Sequence, residues 1–186
     1  LDSTYHYAQA CDIDMDFASW KVADGYGWNP IGCSDLTPFR GQYHGKGQKI
    51  TNLWSERNNS SFVALFGCVL NSRIDSLTIE NAQMEGWFSS AALVGCALTR
   101  GGNKDVTYIS NCKVVNSSIL GNGSSSPNAN SIAIGGLVGT VEEYAQLYVD
   151  RCEIASSNQI VGGYAVGGLL GAGALYSKAV ISNCVN

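Results

Sequence analysis

Short apolar segments that end in glycine recur along the chain, and polar turns rich in Gly, Asn and Ser separate them. The four copies are Ala64-Leu-Phe-Gly67, Ala92-Leu-Val-Gly95, Gly136-Leu-Val-Gly139 and Gly168-Leu-Leu-Gly171. No segment has the roughly 10 to 12 residues of helical periodicity that a helix needs, whereas the frequent Val, Ile, Leu and Tyr favour strands. The pattern predicts an all-β repeat protein.

Two further apolar elements complete each repeat. The second begins at Ile74, Ile109, Val149 and Ile181, and the third ends at Gly86, Gly121 and Gly162. From the start of the second element to the glycine that ends the third, the distance is 12, 12 and 13 residues in the three repeats that contain both. The shortest complete unit has 28 residues and three strand-like pieces. A single unit cannot bury its inner face, so units must stack. The sequence predicts a parallel β-helix of about five coils with three short strands per coil.

The same spacing divides the chain into a lead-in with the first coil, residues 1–60, and the repeats, residues 61–186. One repeat is 9 residues longer than its sisters, and its composition predicts an inserted loop over 122–130. The chain starts without Met or a basic, apolar leader and stops within a repeat. We therefore expect a mature or excised piece of a longer protein.

Equivalent positions in successive coils should form interior rows, because parallel strands lie about 4.8 Å apart. The first predicted row is Ile50, Ile74, Ile109, Val149 and Ile181. The next is Leu53, Leu77, Cys112, Cys152 and Cys184. Three cysteines thus replace leucine as small apolar residues. A disulfide framework is the less favoured alternative, because side chains of one row point the same way and fit disulfide geometry poorly.

Polar residues next to these rows are expected to stack at a corner of the coil. The predicted set is Asn52, Ser76, Asn111, Arg151 and Asn183. Lys113 and Glu153 fall one coil apart, which predicts a lateral ion pair.

Composition excludes several classes of function. Only 14% of residues are charged, the net charge is -4 and the basic residues are scattered, which argues against nucleic-acid binding. No apolar run approaches the roughly 20 residues of a membrane helix, so we expect no membrane insertion of this segment. Seven cysteines lack CxxC spacing and have only two histidines to join them, so we expect no metal site. The sequence has no P-loop or EF-hand motif, and we expect no cofactor.

Catalytic candidates are weak, and we predict no catalytic residue. Asp12, Asp14 and Asp16 alternate and could share a face, although solvated outward carboxylates are the simpler interpretation. Asp75 and Asp150 fall at one position two coils apart, which suits an inverting glycosidase only if further groups support them. Two histidines, at 6 and 44, have no evident nucleophile partner by spacing.

Aromatic side chains give the only indication of ligand binding. Tyr144 and Tyr148, with Tyr176 nearby, cluster at one variable corner, and Trp87 follows the third element of another repeat. Loops on a rigid scaffold commonly carry recognition. We predict ligand contacts from Tyr144, Tyr148 and Trp87, with packing of these rings over a corner as the structural alternative.

The repeat residues resemble a known family. Gly136-Leu-Val-Gly139 and its copies, each followed by Ile-x-Asn-Cys or a variant, resemble the GLUG-motif repeats of bacterial surface and secreted proteins. These include large adhesins and the amino-terminal regions of some immunoglobulin A peptidases. The segments at 13–15, 28–32 and 39–53 are similar to the lead-in that precedes such repeats, although His44 stands where that lead-in more often has Asp.

The resemblance implies a right-handed β-helix at the cell surface or in the secreted fraction, usually without chemistry of its own. We therefore expect a non-catalytic bacterial module that acts as an adhesive domain or a spacer, with host protein or glycan as its ligand. The alternative is part of a carbohydrate-active or proteolytic enzyme whose catalytic groups lie outside these residues. Converging carboxylates in a cleft would favour that alternative.

Overall fold

The computed structural model describes residues 5–16, 25–101, 105–121 and 133–186. Within these ranges all regular structure is β, and no helix is present that could cross a membrane. The predicted loop at 122–130 lies outside the described residues.

The strands are short, and most have two to six residues. In chain order they are β1 (His6–Ala8), β2 (Ile13–Asp14), β3 (Gln42–His44), β4 (Lys49–Thr51), β5 (Trp54–Ser61), β6 (Phe66–Leu70), β7 (Arg73–Asp75), β8 (Thr78–Glu80), β9 (Gln83–Phe88), β10 (Val94–Leu98), β11 (Val106–Ser110), β12 (Lys113–Val115), β13 (Ser118–Gly121), β14 (Ala133–Gly135), β15 (Val138–Val141), β16 (Gln146–Asp150), β17 (Glu153–Ile154), β18 (Gln159–Val161), β19 (Ala165–Gly167), β20 (Leu170–Gly173) and β21 (Lys178–Ser182).

These strands stack into four main parallel sheets and one two-stranded sheet. Sheet I contains β1, β3, β7, β11, β16 and β21, and sheet II contains β2, β4, β8, β12 and β17. Sheet III contains β5, β9, β13 and β18, sheet IV contains β6, β10, β15 and β20, and β14 pairs with β19. The chain visits the four main sheets in turn and then returns to the first. The protein is a parallel β-helix, as the spacing predicts.

In the described part of the chain, each complete coil from β3 to β20 has four or five strands rather than the predicted three. The second apolar element is two strands, one in sheet I and one in sheet II, with a single left-handed residue near their junction. In successive coils that residue is Ser76, Asn111, Arg151 and Asn183, with φ between 50° and 56°. One residue with positive φ can turn the chain without interrupting the apolar pattern, so the sequence pattern does not reveal this corner and the two strands read as one element.

The interior row of sheet I continues through six strands. Its members are Tyr7, Tyr43, Ile74, Ile109, Val149 and Ile181, each the Cα partner of the next. The assignment of Ile50 to this row is wrong, because Ile50 pairs with Ile13 and Ile79 in sheet II. The first coil has four residues, 45–48, between its strands of sheets I and II, where the next coil has two. This insertion shifts the register.

The cysteine row lies inside the stack. Cys112 and Cys152 are 2% and 1% exposed, whereas Cys184 in the last coil is half-buried. The backbone N–H of Cys112 donates to Sγ of Cys152 at 3.4 Å, and the N–H of Cys152 donates to Sγ of Cys184 at 3.3 Å. All seven cysteines are free thiols. The hydrogen bond with Cys152 and burial raise the pKa of the Cys112 thiol.

Hydrophobic rows should stabilise the stack in proportion to their burial. Ile109 and Ile181 occupy the same row, yet they are 1% and 42% exposed. We expect Ile109→Ala to lower the free energy of unfolding by about 3 kcal/mol, and Ile181→Ala by about 1 kcal/mol. Urea denaturation of the two variants measures the difference, and equal losses would contradict the burial gradient along the row.

Candidate binding surfaces

The outer face of sheet I carries a stacked pair of tyrosines. Tyr108 and Tyr148 are Cα partners on β11 and β16, and their rings stack with centroids 5.4 Å apart and an interplanar angle of 24°. Both alternate with buried residues of the interior row, so both side chains point outward. Tyr108 is 42% exposed, which leaves aromatic surface open to a ligand.

Two cations flank this pair. The Arg73 guanidinium lies over the Tyr108 ring, 5.3 Å from its centroid, and Nζ of Lys178 lies 5.1 Å from the Tyr148 centroid. Nζ of Lys178 also donates to the Tyr148 hydroxyl at 2.8 Å. Cation–π contacts and this hydrogen bond hold both rings in place. We call Arg73, Tyr108, Tyr148 and Lys178 the tyrosine face.

Tyr144 does not join the tyrosine face. It lies in the turn before β16, has φ of 60°, and its ring stacks on Tyr176 with centroids 5.1 Å apart and an interplanar angle of 11°. Tyr176 has the same left-handed backbone in the turn of the next coil, with φ of 58°. The predicted cluster is therefore two separate stacked pairs, one in the turns and one on the sheet.

Trp87 lies on β9 in sheet III and is 39% exposed. Its neighbour Phe88 packs edge-on against Phe62, with ring centroids 6.4 Å apart. The three residues predicted to bind ligand thus occupy a turn, sheet I and sheet III.

The acidic candidates take part in local hydrogen bonds. Asp12 accepts from the backbone N–H of Lys49 at 2.8 Å, and Asp14 accepts from Nδ2 of Asn52 at 2.8 Å. The Asn52 amide and the Asp16 backbone N–H lower the pKa of Asp14. These carboxylates connect the lead-in strand β2 to the first coil.

His44 has a partner that the spacing does not reveal. Its Nδ1 lies 2.8 Å from Oδ2 of Asp75, its Cα partner in sheet I. Asp150, two coils from Asp75, accepts from Oγ of Ser182 at 2.9 Å and from Nδ2 of Asn183 at 2.7 Å. The Asn183 and Ser182 hydrogen bonds lower the pKa of Asp150. In the described ranges, no group of three or more His, Cys, Asp or Glu side chains is arranged to hold a metal ion.

The residues that sequence reasoning missed are Tyr108, Arg73 and Lys178. Tyr108 and Tyr148 each precede a member of the Ile109 and Val149 row, so alignment of the repeats already places them side by side. Lys178 lies diagonally across from Tyr148, and this contact depends on side-chain conformation. The predicted ion pair is confirmed, with Lys113 Nζ 2.8 Å from Glu153 Oε1.

Comparison with known proteins supports the fold. A crystal structure described as an immunoglobulin A1 protease from Bacteroides ovatus superposes with a TM-score of 0.62 and 15% identity, covering 99% of this chain and 69% of that one. At this identity the likeness concerns the fold alone. No family model matches the sequence.

Two relatives share part of the sequence. A protein described as a Gly-rich membrane protein from Evansella cellulosilytica is 35% identical over 102 residues, which is 53% of this chain. Halomucin from Haloquadratum walsbyi is 39% identical over 85 residues, or 44% of this chain. The matches span only 11% and 1% of the lengths of these relatives.

Proposed function

We propose that this chain is a non-catalytic module of an extracellular or cell-surface protein and that it binds a protein ligand through the tyrosine face. The observation that carries the proposal is the pair Tyr108 and Tyr148, partly exposed on a rigid sheet and held by Arg73 and Lys178. Tyrosine and arginine are enriched at the centres of protein interfaces. Rings that are already fixed lose little conformational entropy on binding.

The names of the relatives support an extracellular location. Two partial matches are described as a Gly-rich membrane protein and as halomucin, and a solved structure with this fold is described as an immunoglobulin A1 protease. An adhesive role would use the tyrosine face, whereas a spacer would need no ligand. A role as part of an enzyme whose catalytic groups lie outside these residues stays the alternative prediction. Release of product from a peptide or polysaccharide by this chain alone would contradict the non-catalytic proposal.

Binding should depend on the two stacked rings. We expect Tyr108→Ala with Tyr148→Ala to weaken binding of a protein ligand at least about tenfold, because each ring contributes central contact area. The measurement is a binding screen of the labelled chain against an array of extracellular proteins and glycans, followed by titration of the ligands found.

Two variants serve as controls for this test. Tyr164→Ala removes an exposed tyrosine outside sheet I, and it should leave the affinity unchanged. Tyr144→Ala with Trp87→Ala removes the other predicted contacts. If only that second variant lost affinity, the ligand would bind away from the tyrosine face and the proposal would be wrong.

A further inference from the structure

Three asparagines stack at the corner between sheets II and III. Asn52, Asn81 and Asn116 have φ of 58°, 56° and 50°, and each follows a strand of sheet II. The strand residues just before them are Cα partners, so the three corners lie directly above one another. Asn81 and Asn116 are exposed. Asparagine tolerates this left-handed backbone while presenting an amide to solvent.

A second row, of one aromatic and three polar residues, runs beside this corner on the outer face of sheet III. Its four members are consecutive Cα partners, namely Trp54, Gln83, Ser118 and Gln159. The next residue in each of the first three strands is buried, so these four side chains face outward. The indole of Trp54 packs directly over Gly27, where a Cβ would collide with the ring, and this fixes the aromatic surface at one end of the row.

The two rows line a shallow groove parallel to the axis of the stack. Three adjoining depressions of about 260, 360 and 410 Å³ follow the outer row of sheet III and make up the groove, and all three include Gln83. The depressions of 260 and 410 Å³ lie between this row and the asparagines, whereas that of 360 Å³ lies on the far side of the row, beside Glu56 and Glu85. We call this surface the amide groove.

The charge of the amide groove selects against acidic ligands. Its lining includes the carboxylates of Asp16, Glu56 and Glu85, and among the described lining residues there is no lysine or arginine. Glu56 and Glu85 are Cα partners on neighbouring strands, so two carboxylates lie side by side at this edge of the groove. A polyanion would be repelled, whereas hydroxyl groups can both donate to and accept from amides.

We propose that the amide groove binds a neutral polysaccharide chain laid along the axis of the stack. Successive coils rise by about 4.8 Å, which is close to the advance of one pyranose ring in an extended glycan, so each coil offers hydrogen-bonding groups to one sugar ring. Trp54 provides the flat apolar surface on which a sugar face packs. The groove lies on a different sheet from the tyrosine face, and neither proposal depends on the other.

Calorimetric titration of the 186-residue chain with neutral oligosaccharides of increasing length tests the proposal. The probes are cello-, manno-, xylo- and laminari-oligosaccharides, with polygalacturonate as the acidic comparison. We expect at least one neutral series to bind, with affinity rising ring by ring and levelling off at four rings, because the outer row has four positions. Failure of all four series at millimolar concentration, or tighter binding of polygalacturonate, would overturn the proposal.

Variants locate the binding site. Gln83→Ala and Asn81→Gly should each weaken binding about threefold to tenfold through loss of an amide hydrogen bond. Glycine retains the left-handed backbone, so Asn81→Gly removes the amide without strain. Asn71→Gly is the matched control, since Asn71 is exposed with φ of 52° and does not line the groove. Full affinity in folded Gln83→Ala and Asn81→Gly, or shortening of the oligosaccharides during incubation, would refute a binding groove here.

Discussion

Replacing Gly95 with alanine is expected to lower the free energy of unfolding by about 3 kcal/mol. Gly95 lies in β10 of sheet IV, where an added Cβ would come within 2.6 Å of the carbonyl oxygen of Gly67 and 2.8 Å of Cα of Phe62. Both atoms belong to the backbone and cannot rotate away. The strands of the stack would have to move apart, which weakens packing on both sides.

The same collision recurs in each coil. A Cβ at Gly139 would meet the carbonyl oxygen of Gly95 at 2.6 Å, and one at Gly171 would meet that of Gly139 at 2.7 Å. The last glycine of the repeated motif is therefore required by the close approach of backbone to backbone. None of these glycines has the left-handed φ that would provide a different reason.

Gly101→Ala is the control for the Gly95 variant. A Cβ at Gly101 would have only Oδ2 of Asp105 nearby, at 3.7 Å, so stability should change by less than about 0.5 kcal/mol. Thermal unfolding followed by circular dichroism compares the two, with a fall of about 10 °C expected for Gly95→Ala. An unchanged melting temperature in Gly95→Ala would show that sheet IV can accommodate a methyl group at this glycine, and it would contradict the predicted collision.

Much of the architecture could be predicted from the repeat spacing, because stacked coils place equivalent residues in one row. The row of Ile74, Ile109, Val149 and Ile181 appears in the structure at the expected register. The first coil departs from this register because of the insertion at 45–48. Its segment Ile50-Thr-Asn-Leu53 has the same sequence pattern as the second element of later coils, but it lies at a different corner, where Ile50 pairs with Ile79. Asn52 accordingly stacks with Asn81 and not with Ser76.

The candidate sites were harder to predict than the fold. Tyr148 was predicted from its place beside a variable corner, but its partner Tyr108 becomes evident only when residues just before the interior row are aligned. Arg73 and Lys178 contact the rings through long side chains whose conformation the sequence does not specify. The amide groove depends on Asn81 and Gln83 lying two residues apart across a left-handed corner, and neither φ nor outward direction can be read from periodicity.

Replacing Cys152 with aspartate is expected to lower the free energy of unfolding by about 4 kcal/mol or more. Cys152 is 1% exposed and lies between Cys112 and Cys184 in the interior row. In the preceding coil, Leu77 occupies the position that these cysteines fill. A carboxylate there would lose its water without gaining a cation. Cys152→Val keeps the site apolar at similar volume, so its cost should stay below about 1.5 kcal/mol.

The effect of Cys152→Asp should depend on pH in a defined direction. Burial without a cation raises the pKa of the new carboxyl above its unfolded value, so the loss relative to the parent protein is largest above that raised pKa and decreases as the pH falls through it. Cys184→Asp is the matched control, because Cys184 occupies the same row in the half-buried last coil and should cost much less. Urea denaturation of the three variants and the parent at neutral and acidic pH measures these differences. Equal losses for Cys152→Asp and Cys184→Asp would contradict an interior cysteine row in which Cys152 is fully buried and Cys184 is only half-buried.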